Sequence, residues 1–362
     1  MKKHSWVGSG AFILILVLAP FSPVSLPAPF GPAGDPAYAQ PAPYYQGKTI
    51  RIIVGFTAGG FFDLWARLIA RHMPKHVPGN PAMIVQNMPG AGSVIAANYV
   101  HNVANPDGLA VVMPINTLYL DQVVGHAQVT FDVRKFQWIG APDKWYNLLY
   151  MRADAPYKSI GDVINAKEPP KCGSTGTASA SYIMLKLLEE TLGAKFNVVL
   201  GYQGGREIDL GVERGEVVCR AQDIQSHFGR EPFDTWHKTG FERHLVQDPK
   251  TRDPRLPDTP TIWELMDQYK TPPVSRRLAE VILASSEIGR AMMAPPGTPP
   301  DKVKILREAY AKALRDPELL AEAKKGRMDA DPSPGEELQE LAKTVMEQPP
   351  EVIEKVKKLL GN

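Results

Sequence analysis

The sequence is short of cysteine, net charge and long apolar runs, and each shortage narrows what the protein can be. Its 362 residues include 41 Lys and Arg, 39 Asp and Glu, and two cysteines. A formal net charge of +2 without a basic stripe argues against nucleic acid as a partner. The sequence shows no repeat at solenoid periods. What remains is a globular chain whose length favours two lobes.

The one clear apolar run lies near the N-terminus and is typical of an export signal. A basic start at residues 1–4 precedes this run, which covers residues 11–19 and is shorter than the about 20 residues that a membrane-spanning helix needs. Small residues at Ala37 and Ala39 predict cleavage after Ala39, so residues 1–39 are predicted to be a signal peptide and the mature protein to be exported. The alternative is an uncleaved membrane anchor. No cysteine follows the run, which argues against a lipoprotein.

The two cysteines, Cys172 and Cys219, each lie in a short β-like run. An even number of cysteines in an exported chain favours a disulfide, and neighbouring strands would allow one. The alternative is a pair of buried free thiols. We predict a bridge between Cys172 and Cys219.

Two stretches of the chain alternate strand and helix patterns. In the first, strand-like runs at residues 49–56, 83–87 and 109–113 are separated by helical patterns. In the second, short runs at residues 148–151, 171–173, 196–200 and 217–219 alternate with helical patterns in the same way. This alternation predicts an α/β fold with two lobes and a cleft between them. The C-terminal part is predicted to be helical.

Four of these strands are followed by a turn of small or hydroxyl residues and then by a helix. The turns cover residues 57–60, 89–93, 174–177 and 202–205. The first N–H groups of a helix lack internal partners and carry partial positive charge, and glycine lets a ligand approach them. A carboxylate or a phosphate is the natural ligand of such turns. The alternative is that the glycines serve only tight turns and helix packing.

The motifs of nucleotide binding and catalysis are missing. The turn at residues 55–60 lacks a Gly-Lys-Ser/Thr ending, and Ile95 stands at the third glycine position of a dinucleotide-binding pattern. The sequence contains no Gly-x-Ser-x-Gly elbow. No catalytic residue and no cofactor are therefore predicted.

The histidines do not predict a metal site. His72 and His76 have a metal-like spacing, but Pro74 interrupts the helix between them, so surface histidines are the favoured interpretation. Three more histidines lie scattered in a loop-rich region, with no carboxylate at a fixed ligand spacing: His227, His237 and His244.

Three residues near the first turn have two interpretations each. Asp63 is favoured as a helix N-cap over a ligand contact, because a carboxylate would repel an anionic ligand. Phe61 and Phe62 either line the cleft or pack in the core.

Together these motifs resemble the tripartite tricarboxylate transporter receptors, the Bug-type periplasmic solute-binding proteins. The resemblance starts in the first strand and its turn, where Ala58, Gly59, Gly60 and Asp63 match. It continues over nearly the whole chain after residue 39, at residues 87–92, 106–108, 173–176, 202–205, 256–261 and 294–299.

The resemblance implies a type II periplasmic-binding-protein fold whose two lobes close on a ligand in the cleft between them. It also implies that the protein is not an enzyme. It would capture a small organic carboxylate and deliver it to the membrane permease of a tripartite transporter. The expected ligand-binding residues are Phe56, Thr57, Ala58, Gly59, Gly60, Phe61, Asn116, Thr117, Ser174, Thr175, Gly176, Thr177, Ser179, Tyr202, Gly204, Gly205 and Asp223.

The sequence also departs from the family pattern. Phe61 and Phe62 replace small or polar residues, Gln203 stands where the family has lysine, and extra sequence lies around residues 228–242 and 269–287. These departures leave two alternatives open for the ligand: a dicarboxylate with an aromatic or apolar body, and a ligand outside the family's usual range.

We expect a monomer with lobe 1 at residues 44–147 plus 288–362 and lobe 2 at residues 148–287. Two other functions stay open: an exported enzyme on the same scaffold, and a sensor that presents its ligand to a signalling partner.

Overall fold

The computed structural model describes residues 42–176, 179–202, 205–228 and 231–360. The predicted signal peptide lies outside the described residues, as do two predicted site residues, Thr177 and Gly204. Within the described ranges, no helix is long and apolar enough to cross a membrane.

The described residues form eleven strands, which fall into two separate sheets. In chain order the strands are β1 (Thr49–Val54), β2 (Ala82–Asn87), β3 (Ala110–Met113), β4 (Gln137–Ala141), β5 (Asn147–Arg152), β6 (Lys171–Gly173), β7 (Asn197–Val199), β8 (Cys219–Asp223), β9 (Glu242–Gln247), β10 (Met292–Ala294) and β11 (Ser333–Pro334).

Fourteen α-helices within the same ranges surround the sheets. They are α1 (Phe61–His72), α2 (Val94–Asn102), α3 (Leu118–Val124), α4 (Ile160–Ile164), α5 (Ala180–Leu192), α6 (Gly205–Glu213), α7 (Ile224–Phe228), α8 (Phe233–Thr239), α9 (Ile262–Gln268), α10 (Pro273–Ile288), α11 (Pro300–Ala313), α12 (Pro317–Lys325), α13 (Gly335–Met346) and α14 (Pro350–Leu360).

The first sheet has the strand order β11-β4-β10-β3-β1-β2. One part of it is parallel, because β1 pairs in parallel with both β2 and β3. β10 returns from the C-terminal part of the chain and pairs antiparallel with β3 and β4, so the sheet as a whole is mixed. The β-branched side chains of β1 suit its place inside the sheet, between β2 and β3, since Ile50, Ile52 and Ile53 are fully buried.

The second sheet has the strand order β7-β6-β8-β5-β9. β6 pairs in parallel with β7 and β8, whereas β5 is antiparallel to β8 and β9. Helix α5 covers this sheet; its N-cap Ser179 accepts a hydrogen bond from the Tyr182 N–H, and Gly193, with φ of 72°, ends it. The α/β class predicted from the sequence is confirmed.

The chain passes between the sheets at two places. β4 ends at Ala141 and β5 begins at Asn147, and α10 leads back from the second sheet to β10. At the second crossing Gly289 has a positive φ of 54°, and a side chain there would clash with the carbonyl of Asp143. The two crossing segments therefore lie against each other, and one apolar core runs from the first sheet through α10 to the second.

Candidate ligand-binding site

The turn that follows β1 is held in place by the buried carboxylate of Asp63. Residues 57–60 are exposed, and Asp63 accepts a hydrogen bond from the Gly59 N–H at 2.9 Å. Arg67 and Asn87 donate to the same carboxylate at 2.8 and 3.0 Å. Burial works against ionisation, but these hydrogen bonds outweigh it and lower the pKa of Asp63 to about 2.

The predicted N-cap role of Asp63 is wrong. The N-cap of α1 is Gly60, and Asp63 is the third residue of the helix. Its side chain reaches back to the turn because the first-turn N–H groups and the turn itself offer donors there. With 2% of its surface exposed, Asp63 positions the turn and does not face the cleft.

The corresponding turn in the second sheet is built on two serines. Ser174, at the end of β6, is fully buried, and its hydroxyl lies 2.7 Å from the hydroxyl of Ser179. Ser179 also donates to the Gly176 carbonyl at 2.8 Å and caps α5. Ser174 thus orients Ser179, while Thr175 lies exposed on the turn.

A cavity of about 200 Å³ lies where the loop after β3 faces the start of α5. Three of the predicted site residues line it: Asn116, Thr117 and Ser179. Most of the other lining side chains are apolar, namely Ile115, Leu120, Trp145, Ala180, Ile183, Met184, Leu187, Ile282 and Leu283. The cavity therefore has polar groups near the start of α5 and an interior that is lined by apolar side chains.

Asp248 is the only ionisable side chain among the described residues that line this cavity, and no sequence motif predicts it. It accepts hydrogen bonds from the backbone and side-chain N–H groups of Asn147 and from the Ser286 hydroxyl. Burial nevertheless dominates and raises the pKa of Asp248 to about 7. The side chain is thus close to the balance between its neutral and charged forms at neutral pH.

Two asparagine side chains, those of Asn116 and Asn147, lie at the rim of the cavity. Asn116 donates to the Ser285 carbonyl at 3.0 Å, which joins the loop after β3 to the end of α10. The side-chain oxygen of Asn147 is buried without a hydrogen-bond partner among the described residues. A ligand that donates a hydrogen bond would satisfy it.

Arg290 links the β1 turn to the cavity wall. Its guanidinium forms a buried ion pair with Asp143 and lies about 5 Å from the rings of Phe61, Phe62 and Trp145. Phe62 is buried against Phe56 and Trp145, which settles its role as core packing. Phe61 is 37% exposed.

Of the predicted site residues that the structure describes, the others do not line the cavity. Phe61, at the end of the β1 turn, contacts Arg290, which also lies over the ring of Trp145 in the cavity wall. Tyr202 packs in the apolar core of the second sheet. Gly205 leaves room for the Arg220 guanidinium, which donates to its carbonyl at 2.9 Å. Asp223 accepts a hydrogen bond from the Ser226 N–H at 2.6 Å.

The predicted disulfide is confirmed. Cys172 on β6 and Cys219 on β8 are bonded and are partners in the register of these two parallel strands, with their Cα atoms 4.4 Å apart. The bridge ties the strand before the Ser174 turn to the central part of the second sheet.

The interpretation of three histidines as scattered is wrong. His227, His237 and His244 lie on α7, α8 and β9, and the fold brings their ring nitrogens together with the carboxylate of Glu242. The missed signal is Glu242-x-His244, because alternate residues of a strand share a face. His72 and His76 instead contact Glu322 and Asp316 on and beside α12.

The two sheets, the paired crossings and the cavity define the class as a two-lobed periplasmic-binding-protein fold. A TctC solute-binding protein from Polaromonas superposes with a TM-score of 0.67 at 22% identity, covering 87% of this chain and 98% of that one. The Rhodopseudomonas palustris protein MatC, solved with bound malate, gives 0.58 at 21% identity, covering 86% of this chain and 99% of the other.

The family is established by sequence. The model of the tripartite tricarboxylate transporter family receptor matches residues 65–358, and the chain belongs to this family. A UPF0065 protein encoded in the gbd 5′ region of Cupriavidus necator is 29% identical over 305 residues, which cover 80% of this chain and 81% of that protein. The resemblance drawn from the motifs is confirmed.

Proposed function

We propose that this protein captures a small organic carboxylate with an apolar body and hands it, chemically unchanged, to the membrane permease of a tripartite transporter. The observation that carries the proposal is the cavity, because it combines the start of α5 with an apolar interior. The family match supports the receptor role. A structural neighbour with bound malate supports the choice of an acid as ligand.

The carboxylate is placed at the start of α5. The first N–H groups of that helix carry partial positive charge, and Ser179, Asn116 and Thr117 supply polar contacts around them. The β1 turn, with its exposed glycines and the nearby Arg290, closes over the same end of the ligand. In this arrangement the predicted residues of the β1 turn and those at the start of α5 bind the same carboxylate group of the ligand.

The hydrocarbon part of the ligand occupies the interior of the cavity. The side chains of Ile183, Met184 and Leu187 on α5 face those of Ile282 and Leu283 on α10 across it. Burying apolar ligand surface there contributes roughly 25 cal/mol per Å². The neutral form of Asp248 tolerates an anion nearby, whereas the ionised form repels it.

The lobes proposed to close on the ligand are residues 44–147 plus 288–362 and residues 148–287. The crossing segments near Asp143 and Gly289 act as the hinge. Residues 1–39 direct export and are removed after Ala39, which places the receptor in the periplasm, where it meets its solute as a monomer.

A thermal-shift screen tests the proposal. Aliphatic mono- and dicarboxylates of increasing chain length are compared with their primary amides, at pH 6 and pH 8. A carboxylate present at about 100 times its Kd adds about 2.7 kcal/mol to the free energy of unfolding. Stabilisation by amides or amines but by no acid would contradict the proposed ligand class. Mass spectrometry of the recovered acid separates a receptor, which returns it unchanged, from an enzyme.

A further inference from the structure

A second cluster of polar side chains lies on the other face of the second sheet, away from the cavity. We name it the histidine cluster; it consists of His227, His237, Glu242 and His244, and its ligand-type atoms all lie within 4.8 Å of one another. These residues come from α7, α8 and β9. They are separated in sequence, so only the fold brings them together.

The distances within the histidine cluster match a metal-binding shell. Oε1 of Glu242 lies 2.9 Å from Nε2 of both His227 and His237, and 3.6 Å from Nε2 of His244. The Nε2 atoms of His227 and His244 are 2.9 Å apart. Tetrahedral ligands at zinc–ligand distances of about 2.0–2.1 Å lie about 3.3 Å from one another.

The cluster is poorly explained as a hydrogen-bonded network. Nε2 of His237 and both carboxylate oxygens of Glu242 are buried without a well-aligned hydrogen-bond partner among the described residues. The side chain of Glu242 is only 1% exposed, so water does not replace those partners. Atoms that are close but not aligned on one another are expected when their lone pairs converge on a common point.

The surroundings of His227 fit a metal ligand as well. Its second ring nitrogen, Nδ1, lies 2.6 Å from the side-chain amide of Gln222. The amide atom at this distance is Nε2, while Oε1 of Gln222 is buried without a hydrogen-bond partner among the described residues. Turning the amide over lets Oε1 accept the Nδ1–H of a metal-bound imidazole, which fixes the tautomer. The rings of Phe233 and Tyr150 pack on His227, and that of Phe228 stacks on His237, so the cluster lies in an apolar shell.

We propose that the histidine cluster binds one Zn²⁺ ion. Three imidazole nitrogens and one carboxylate oxygen suit zinc, and four protein ligands leave no open position, which is typical of a structural site. The ion neutralises the buried carboxylate and joins α7, α8 and β9. It thereby stabilises the part of the second sheet around α8 and β9. The site is independent of the proposed carboxylate site.

The test uses protein produced without a polyhistidine tag. After equilibration with ZnCl₂ and removal of loosely bound metal, elemental analysis by mass spectrometry should find about one zinc per chain. EDTA should remove it and lower the Tm by several degrees, and added Zn²⁺ should restore the Tm. Replacement by Co²⁺ should give the visible absorption of a tetrahedral nitrogen and oxygen site.

Variants locate the ion. His237→Ala and Glu242→Gln should each lose stoichiometric zinc and the response of the Tm to EDTA. His237 is 25% exposed, so its removal leaves the fold intact, which circular dichroism checks. The matched control is His72→Ala, which removes the histidine of a second group with Asp316 and Glu318 and should keep zinc. Wild-type protein without stoichiometric zinc, or zinc lost from the control and kept by both cluster variants, would overturn the proposal.

Discussion

The backbone N–H and the side-chain amide of Asn147 both donate hydrogen bonds to the carboxylate of Asp248, each at 2.8 Å. This contact ties the start of β5 to the residue that follows β9, at the wall of the cavity. It holds a buried acid in place, and the part of the chain that the structure describes offers no ion pair to it, so burial raises the pKa of Asp248 to about 7. Stability is therefore sensitive to pH through this one group, and the proposed ligand binding should be as well.

Asp248→Asn should change how stability depends on pH. In the folded state the pKa lies above the unfolded value of 3.8, so the contribution of Asp248 to stability is complete below about pH 4 and is lost as pH rises through about 7. The asparagine side chain does not titrate, so the variant does not lose this stability as the pH rises. Between pH 5 and pH 8 the Tm of the variant should therefore rise relative to that of the wild type, as measured by differential scanning calorimetry. The control variant Asp258→Asn changes an exposed residue, and its Tm should keep a constant difference from that of the wild type over this pH range. If the Tm difference between Asp248→Asn and the wild type also stays constant, the raised pKa of Asp248 is ruled out.

Arg290→Met should strongly destabilise the protein. It leaves the fully buried Asp143 without its charge partner, and breaking a buried ion pair costs about 3–5 kcal/mol. Burial already raises the pKa of Asp143 to about 6 against the attraction of Arg290, so the variant should lose most stability above that pH. Urea unfolding measures the change. The double variant Asp143→Leu/Arg290→Met should recover part of the loss, and a single variant as stable as the wild type contradicts the pairing.

Much of the fold follows from the sequence, because strong local patterns decide it. The β-branched run of β1 predicts a strand from its residue types alone, and an even number of cysteines in an exported chain predicts the bond between Cys172 and Cys219. β4 and β10 were not predicted, since QWIGA and MMA carry no periodic pattern and become strands by pairing with each other and with β11 and β3. Their existence depends on contacts between distant parts of the chain.

The same limit applies to the candidate site. Asn116, Thr117 and Ser179 were predicted by resemblance, and the structure places them on the cavity. Asp248 was missed because nothing around it in the sequence marks a buried carboxylate. The histidine cluster was missed because its members come from three elements, and only one pair, Glu242 and His244, has a local spacing.

Removal of the disulfide should lower stability by about 4 kcal/mol. The bridge closes a loop with a sequence separation of 47 residues, and the chain-entropy model gives this magnitude for a loop of that length. Cys172→Ala/Cys219→Ala is compared with the wild type by urea unfolding without reductant. A thiol count on denatured, unreduced wild-type protein should find none, and two free thiols would contradict the bridge.

Ile183→Trp should block the cavity while leaving the fold intact. Ile183 lines the cavity on α5 and is only partly buried, so a larger side chain there takes the ligand's place at a stability cost of about 1–3 kcal/mol. Affinity for the stabilising acid should fall at least about tenfold, which corresponds to about 1.4 kcal/mol. Tyr182→Trp, on the same helix but outside the cavity lining, is the matched control. Equal affinity in both variants would place the ligand elsewhere.

The central claim is that the cavity beside α5 selects a carboxylate, and isothermal titration calorimetry tests it most directly. The best acid from the screen and its primary amide, which have the same size and apolar body, are titrated into the wild-type protein at pH 6. The account predicts one binding site for the acid and an amide that binds at least about tenfold more weakly, because the amide lacks the charge that the start of α5 favours. An amide that binds as tightly as the acid would contradict it.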